Sequence, residues 1–208
     1  MQRWMMKLLK LVGKRSDRSP ETIGAELLFA ISESVYEIFD GDEFRKLVDF
    51  DSQNMDEQSR IFYELELAAL CLLRFGVEAA EDIAKPKNLP LWSKISEKLP
   101  ELYERKLIDF GVDKKNVRKV YRKVVEARYN EYRETQQEVR SIWTMDDPQY
   151  HKMPESLQDA TSRVHAIVIG TADYIRRGKM KPNDPLAKLL IEWLLPLNEQ
   201  IGKWIIKI

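Results

Sequence analysis

The chain has 208 residues, 44% of them hydrophobic and 33% charged, with 34 basic side chains against 34 acidic ones. Balanced charge on this hydrophobic content excludes an intrinsically disordered chain, and 8 glycines with 9 prolines are too few for a turn-rich β-sandwich. The one cysteine, Cys71, excludes an internal disulfide framework and a cysteine-rich zinc site.

Residues 1–14 read as an amphipathic helix. Trp4, Leu8 and Leu11, with Met5 and Val12, share one stripe, and Arg3, Lys7, Lys10 and Lys14 take the other side. The stripe is interrupted by lysines and no small-residue cleavage site follows, so a signal peptide is not expected. The rest, 19–208, reads as a single α-helical domain. Ser19-Pro20-Glu21 supplies an N-cap, a proline at the first helical position and an early acid. The helix that follows turns Ile23, Leu27, Ala30, Ile31, Ser34 and Ile38 towards a core and ends at Asp40-Gly41-Asp42.

A short helix over 43–48 precedes a polar stretch. Residues 58–75 then form a helix that is apolar on every side between Leu67 and Leu73, as a central bundle helix should be, with Gly76 as its stop. Within that run Cys71 reads as a small hydrophobe. Residues 77–84 form a short helix, and 91–110 a helix bent or divided near Pro100. The longest helix covers 113–143. The segment 155–177 carries a β-branched run over 164–169 but keeps helical spacing at its flanks, so it is expected to be a helix. Asp184-Pro185 starts the last helix, which Pro196 is expected to kink or split. The nearest approach to a membrane span, 186–197, is broken by Lys188, Glu192 and Pro196. The expectation is an all-α, single-domain bundle of seven or eight helices with one long helix.

No glycine-rich phosphate loop and no nucleophile elbow occurs. The segment 49–60 places Asp49, Asp51 and Gln53 at the first ligand positions of an EF-hand. However, Asn54 stands where glycine makes the turn, and Arg60 where a bidentate glutamate closes the site. A cation in that position rules the motif out. Glu-x-x-Glu pairs occur at Glu78/Glu81, Glu101/Glu104 and Glu131/Glu134, but no Glu-x-x-His accompanies them. No catalytic residue, metal ligand or cofactor is expected.

Three features remain. In the long helix, Val117, Val120, Tyr121, Val124, Val139 and Ile142 share one stripe, and its middle carries Arg128, Glu131, Thr135 and Glu138. Either these line a polar pocket near Tyr132 and His165, or the helix projects beyond the core with Arg128 and Glu131 paired across a turn. Secondly, charge is segregated: 16–70 holds fourteen acids and four bases, and 85–128 thirteen bases and six acids. Lys115, Arg118, Lys119 and Arg122 crowd one helix as a candidate interaction surface, together with Trp4, Leu8 and Leu11. Thirdly, the C-terminal Trp193, Leu194, Ile201, Trp204, Ile205 and Ile206 are strongly apolar. The expected function is a non-enzymatic, cytoplasmic interaction protein that self-associates or binds a protein partner. A carboxylate-based metal-dependent enzyme, a small-molecule-binding bundle and a peripheral membrane protein held by residues 1–14 are the alternatives. Overall neutrality disfavours a nucleic-acid partner.

Overall fold

The computed structural model describes residues 18–80, 84–146 and 149–207, which form seven helices and no strand. The expected N-terminal helix, 1–14, lies outside the described residues, as does most of the far end of the expected short helix 77–84. We number the helices α1 (Pro20–Phe39), α2 (Asp42–Leu47), α3 (Met55–Glu78), α4 (Leu89–Asp109), α5, α6 (Glu155–Ile175) and α7 (Pro185–Lys207). Helix α5 is helical throughout but changes character: Lys114–Asn116, a π-helical turn Val117–Tyr121, then Arg122–Asp146. The expected all-α bundle is what the chain forms, and 164–169 is helical inside α6.

Local chemistry sets the helix starts. The Ser19 side chain accepts from the Thr22 N–H at 3.2 Å ahead of Pro20, and the Asn54 side chain accepts from the Glu57 N–H at 2.9 Å ahead of α3. Helix α3 is central, touching α1, α4, α5, α6 and α7. Its run from Glu64 to Leu73 is buried on every side. Charged side chains on α3 pin its neighbours. Arg60 donates to the Tyr174 and Ile175 carbonyls that end α6, Glu64 and Arg74 pair with Arg128 and Glu126 of α5, and Glu66 pairs with Lys106 of α4.

One boundary differs from the sequence reading, and two expected divisions are absent. Gly76 does not stop α3; it lies inside the helix against α7, where a Cβ would stand 2.5 Å from Ile201 Cγ2. The residue serves close helix approach, not termination. Helices α4 and α7 run on through Pro100 and Pro196 without division. Pro196 is exposed, so the ring and the carbonyl it deprives of a donor face outward. The C-terminal apolar residues are absorbed internally. Leu194, Ile201, Trp204 and Ile205 are buried, the Trp193 indole N–H donates to Ser34 Oγ at 2.8 Å, and Ile206 stays exposed. Among the described residues no helix is long and apolar enough to cross a membrane.

Candidate functional site

Helices α1 and α4 lie side by side in the same direction, Gly24 against Ile95 and Leu102, and Ser32 against Lys106. The missing Cβ of Gly24 permits this closeness, since a methyl there would stand 2.6 Å from Leu102 Cδ1. Towards their C-terminal ends the two helices leave an open groove of about 640 Å³. Leu28 and Leu102 form its apolar bed, and Phe29, Tyr36 and Phe110 stand around it at 58%, 48% and 57% exposure. Among the described residues these are the exposed phenylalanine and tyrosine side chains, and all three border one groove. A hollow of about 310 Å³ adjoins it at Tyr36, walled by Phe39, Phe50, Met55, Phe62 and Tyr63. The Tyr36 and Phe39 rings each sit within 5.1 Å of Phe62, which ties this aromatic surface to α3.

A polar cluster lies beside this apolar bed. Lys106 Nζ donates to Glu66 Oε2 at 2.6 Å and to Ser32 Oγ, while the Ser32 hydroxyl donates to the Leu28 carbonyl. Burial pulls the Lys106 ammonium below the usual lysine range, and Glu66 opposes that shift. Glu66 Oε1 and the Tyr103 hydroxyl are buried close by without a hydrogen-bond partner among the described residues. Burial pushes the Tyr103 phenol well up, with the Glu66 charge adding to it. Glu33, Arg105 and Asp109 complete the rim. The C-termini of both helices gather at the closing end with Asp109, and Glu33 stands on the rim with Arg105, which pairs with Glu101.

The sequence-derived candidates fall elsewhere. Arg128 donates to both carboxylate oxygens of Glu64, at 3.0 and 3.3 Å from Nη2, and reaches Glu131 at 3.4 Å. Glu131 accepts in turn from the Tyr174 hydroxyl at 2.8 Å. Thr135 is half-buried and Glu138 exposed, and neither joins this network. His165 packs edge-on against Trp143 and contacts the Thr161 carbonyl through Nδ1 at 3.0 Å. The carboxylates of this face therefore hold an arginine and a tyrosine instead of converging on a cavity. Among the described residues no group of three or more histidine, cysteine, aspartate or glutamate side chains could hold a metal ion.

The displacement of the candidate stripe has a physical cause. A π-helical turn holds one residue more than the 3.6-residue period, so beyond Tyr121 the core-facing stripe advances by one position. The positions expected at 124, 128, 131 and 135 give way to Val125, Tyr129, Tyr132 and Gln136, while Val139, already on the expected stripe, is buried and its neighbour Glu138 is exposed. Val125, Tyr129 and Tyr132 are buried, and Gln136 donates to Ser162 Oγ.

Of the basic cluster, Lys115 is exposed, and Arg122 is paired with Glu104 of α4 at 2.6 Å; Arg118 and Lys119 lie in the π-helical turn. Trp4, Leu8 and Leu11 lie outside the described residues. The groove residues Phe29, Tyr36 and Phe110 escaped the sequence reading. Their signal is a second helical stripe on α1, with Ala25, Phe29, Ser32 and Tyr36 beside the core stripe. Cys71 is buried, and desolvation pushes its thiol far up. Comparison with family models, with curated proteins and with solved structures finds no match for this chain.

Proposed function

We propose that this chain is a binding module whose α1–α4 groove takes the apolar face of a basic amphipathic helix from a protein partner. The observation that carries the reading is the gathering of Phe29, Tyr36 and Phe110 around one groove, while the other described aromatic side chains are at least partly buried. Large aromatics grouped around a concave apolar bed dominate binding energy at protein interfaces. A helix in a groove anchors through residues at i, i+3, i+4 and i+7, which suits a trough running along two parallel helices. The two helix C-termini and Asp109 at the closing end favour basic residues on that partner. The free, buried Cys71 fits a reducing, cytoplasmic setting for this interaction.

A fluorescent helical peptide of leucines and lysines in amphipathic register tests the reading by anisotropy titration. Phe29→Asp and Phe110→Asp are each expected to weaken binding at least ~10-fold, which is about 1.4 kcal/mol. Ile142→Asp, at an exposed apolar position on α5, is expected to leave it unchanged. Circular dichroism confirms that each variant is folded. Absence of binding, or equal binding by all four proteins, overturns the proposal.

A further inference from the structure

We propose that Lys106 is a covalent attachment site for an aromatic aldehyde, which its amine holds as an imine in the wall of the α1–α4 groove. The site is distinct from helix docking and does not rest on it. A lysine becomes a nucleophile when it is drawn out of water yet stays open to a ligand. Lys106 keeps 13% side-chain exposure and lines the groove of about 640 Å³ together with Leu28 and Phe110. That volume lies within the roughly 300–1,000 Å³ of small-molecule sites. Burial also favours the neutral amine, with Glu66 opposing it.

The amine is fixed in direction. Glu66 Oε2 takes one of its hydrogens at 2.6 Å, and Ser32 Oγ takes another. The Ser32 hydroxyl hydrogen is committed to the Leu28 carbonyl, so Ser32 acts on the amine only as an acceptor. A neutral amine keeps both bonds with its two hydrogens, which leaves the lone pair for the groove that Lys106 lines. The ring centroids of Phe110 and Tyr103 stand 5.5 and 5.6 Å from Nζ. A ring attached at this nitrogen therefore meets aromatic neighbours, and an aryl aldehyde gains contacts that a short aliphatic one lacks.

The proton balance closes within the polar cluster. Glu66 Oε1 is buried without a hydrogen-bond partner among the described residues, so it is the oxygen free to hold a proton while Oε2 goes on accepting from Nζ. The ammonium gives a proton to Oε1, and the Nζ lone pair attacks the carbonyl carbon as the C=O π pair moves to oxygen. A proton then passes from nitrogen to that oxygen, which gives a carbinolamine. Glu66 returns its proton to the hydroxyl, which leaves as water while the nitrogen pair forms C=N. Ammonium and aldehyde thus become iminium and water, with no oxidant or reductant. Glu66 ends as a carboxylate facing a cationic iminium where it had faced a cationic ammonium, so the buried charge stays paired. The Tyr103 phenol, raised by burial, remains a hydrogen donor in the same cluster.

Reductive trapping in the full chain tests this. The protein is treated with naphthaldehyde and cyanoborohydride in mildly alkaline buffer, where hydride converts each imine to a stable secondary amine, and labelled lysines are mapped by mass spectrometry. Lys106 is expected to be labelled at least ~10-fold faster than exposed Lys115 and Lys188. Phe110→Ala replaces a side chain that is already 57% exposed, and circular dichroism checks that the variant is folded. This change is expected to slow labelling of Lys106 at least ~3-fold and to leave that of Lys188 unchanged. A Lys106 to Lys188 ratio below ~10 in the wild-type chain overturns the site. A larger ratio that Phe110→Ala leaves unchanged overturns the aromatic aldehyde as its ligand.

Discussion

The ring of Tyr132 rests on the bare backbone of Gly170, where a Cβ would stand 2.5 Å from Tyr132 Cε1. The tyrosine is fully buried, and its hydroxyl lies 3.1 Å from Thr171 Oγ1. A methyl at position 170 must push the ring or separate α5 from α6. Gly170→Ala is therefore expected to cost about 1–3 kcal/mol through overpacking, although alanine is the better helix former. Tyr132→Phe keeps the ring and loses the hydrogen bond, at about 1 kcal/mol. Urea unfolding of both variants checks this. A stabilised Gly170→Ala would show that the contact has room to spare.

Arg128 and Glu64 retain 13% and 11% side-chain exposure, so each shields the other from an unpaired burial. Arg128→Met alone is expected to cost about 3 kcal/mol, because it strands Glu64, and Glu64→Leu less, because Arg128 keeps Glu131. The double variant is expected to be more stable than the sum of the single losses predicts. Additivity within about 0.5 kcal/mol in the cycle would dismiss the coupling.

Glu57 accepts from Arg60 at 2.6 and 2.9 Å and from Arg177, and these bonds hold its carboxyl down at about 2 against an ordinary 4.5. Between those two values the unfolded chain binds a proton that the folded chain does not. The contribution is complete above pH 4.5 and is lost as pH falls through about 2. Near the surface, screening leaves it on the order of 1 kcal/mol. Glu57→Gln is expected to lose that stability at neutral pH and to converge on the wild type near pH 2. Parallel acid titrations of unfolding free energy would contradict the assignment.

Cys71 is expected to resist a thiol-specific disulfide reagent in the folded protein, since burial both excludes the reagent and suppresses the thiolate. Labelling across a urea series should rise with global unfolding, as followed by circular dichroism. Rapid labelling in native buffer would require an opening of α3 that its central position argues against.

Helix class and most helix positions were legible because they depend on near neighbours. Ser19 and Asn54 cap with atoms three residues on, and the uniformly apolar run from Leu67 to Leu73 can only be internal. Gly76 as a stop, and division of the helix as one of the two outcomes expected at Pro100 and Pro196, failed for a complementary reason. A glycine reads as a stop and a proline as a break until the facing helix, or its absence, is known.

The phase of α5 and the groove were decided by packing. Its period was readable along the chain, but one π-helical turn moved the buried face from Arg128 and Glu131 to Tyr129 and Tyr132. Such a turn is selected by how both halves of a helix fit their neighbours, and no local pattern announces it. The groove joins Phe29 and Tyr36 to Phe110 across more than seventy residues of chain. Which face of α1 is covered depends on the absent Cβ of Gly24 and on the buried pairing of Glu66 with Lys106. Helical periodicity marks an apolar face, but only the arrangement of the other helices determines whether that face is covered or left open for a partner.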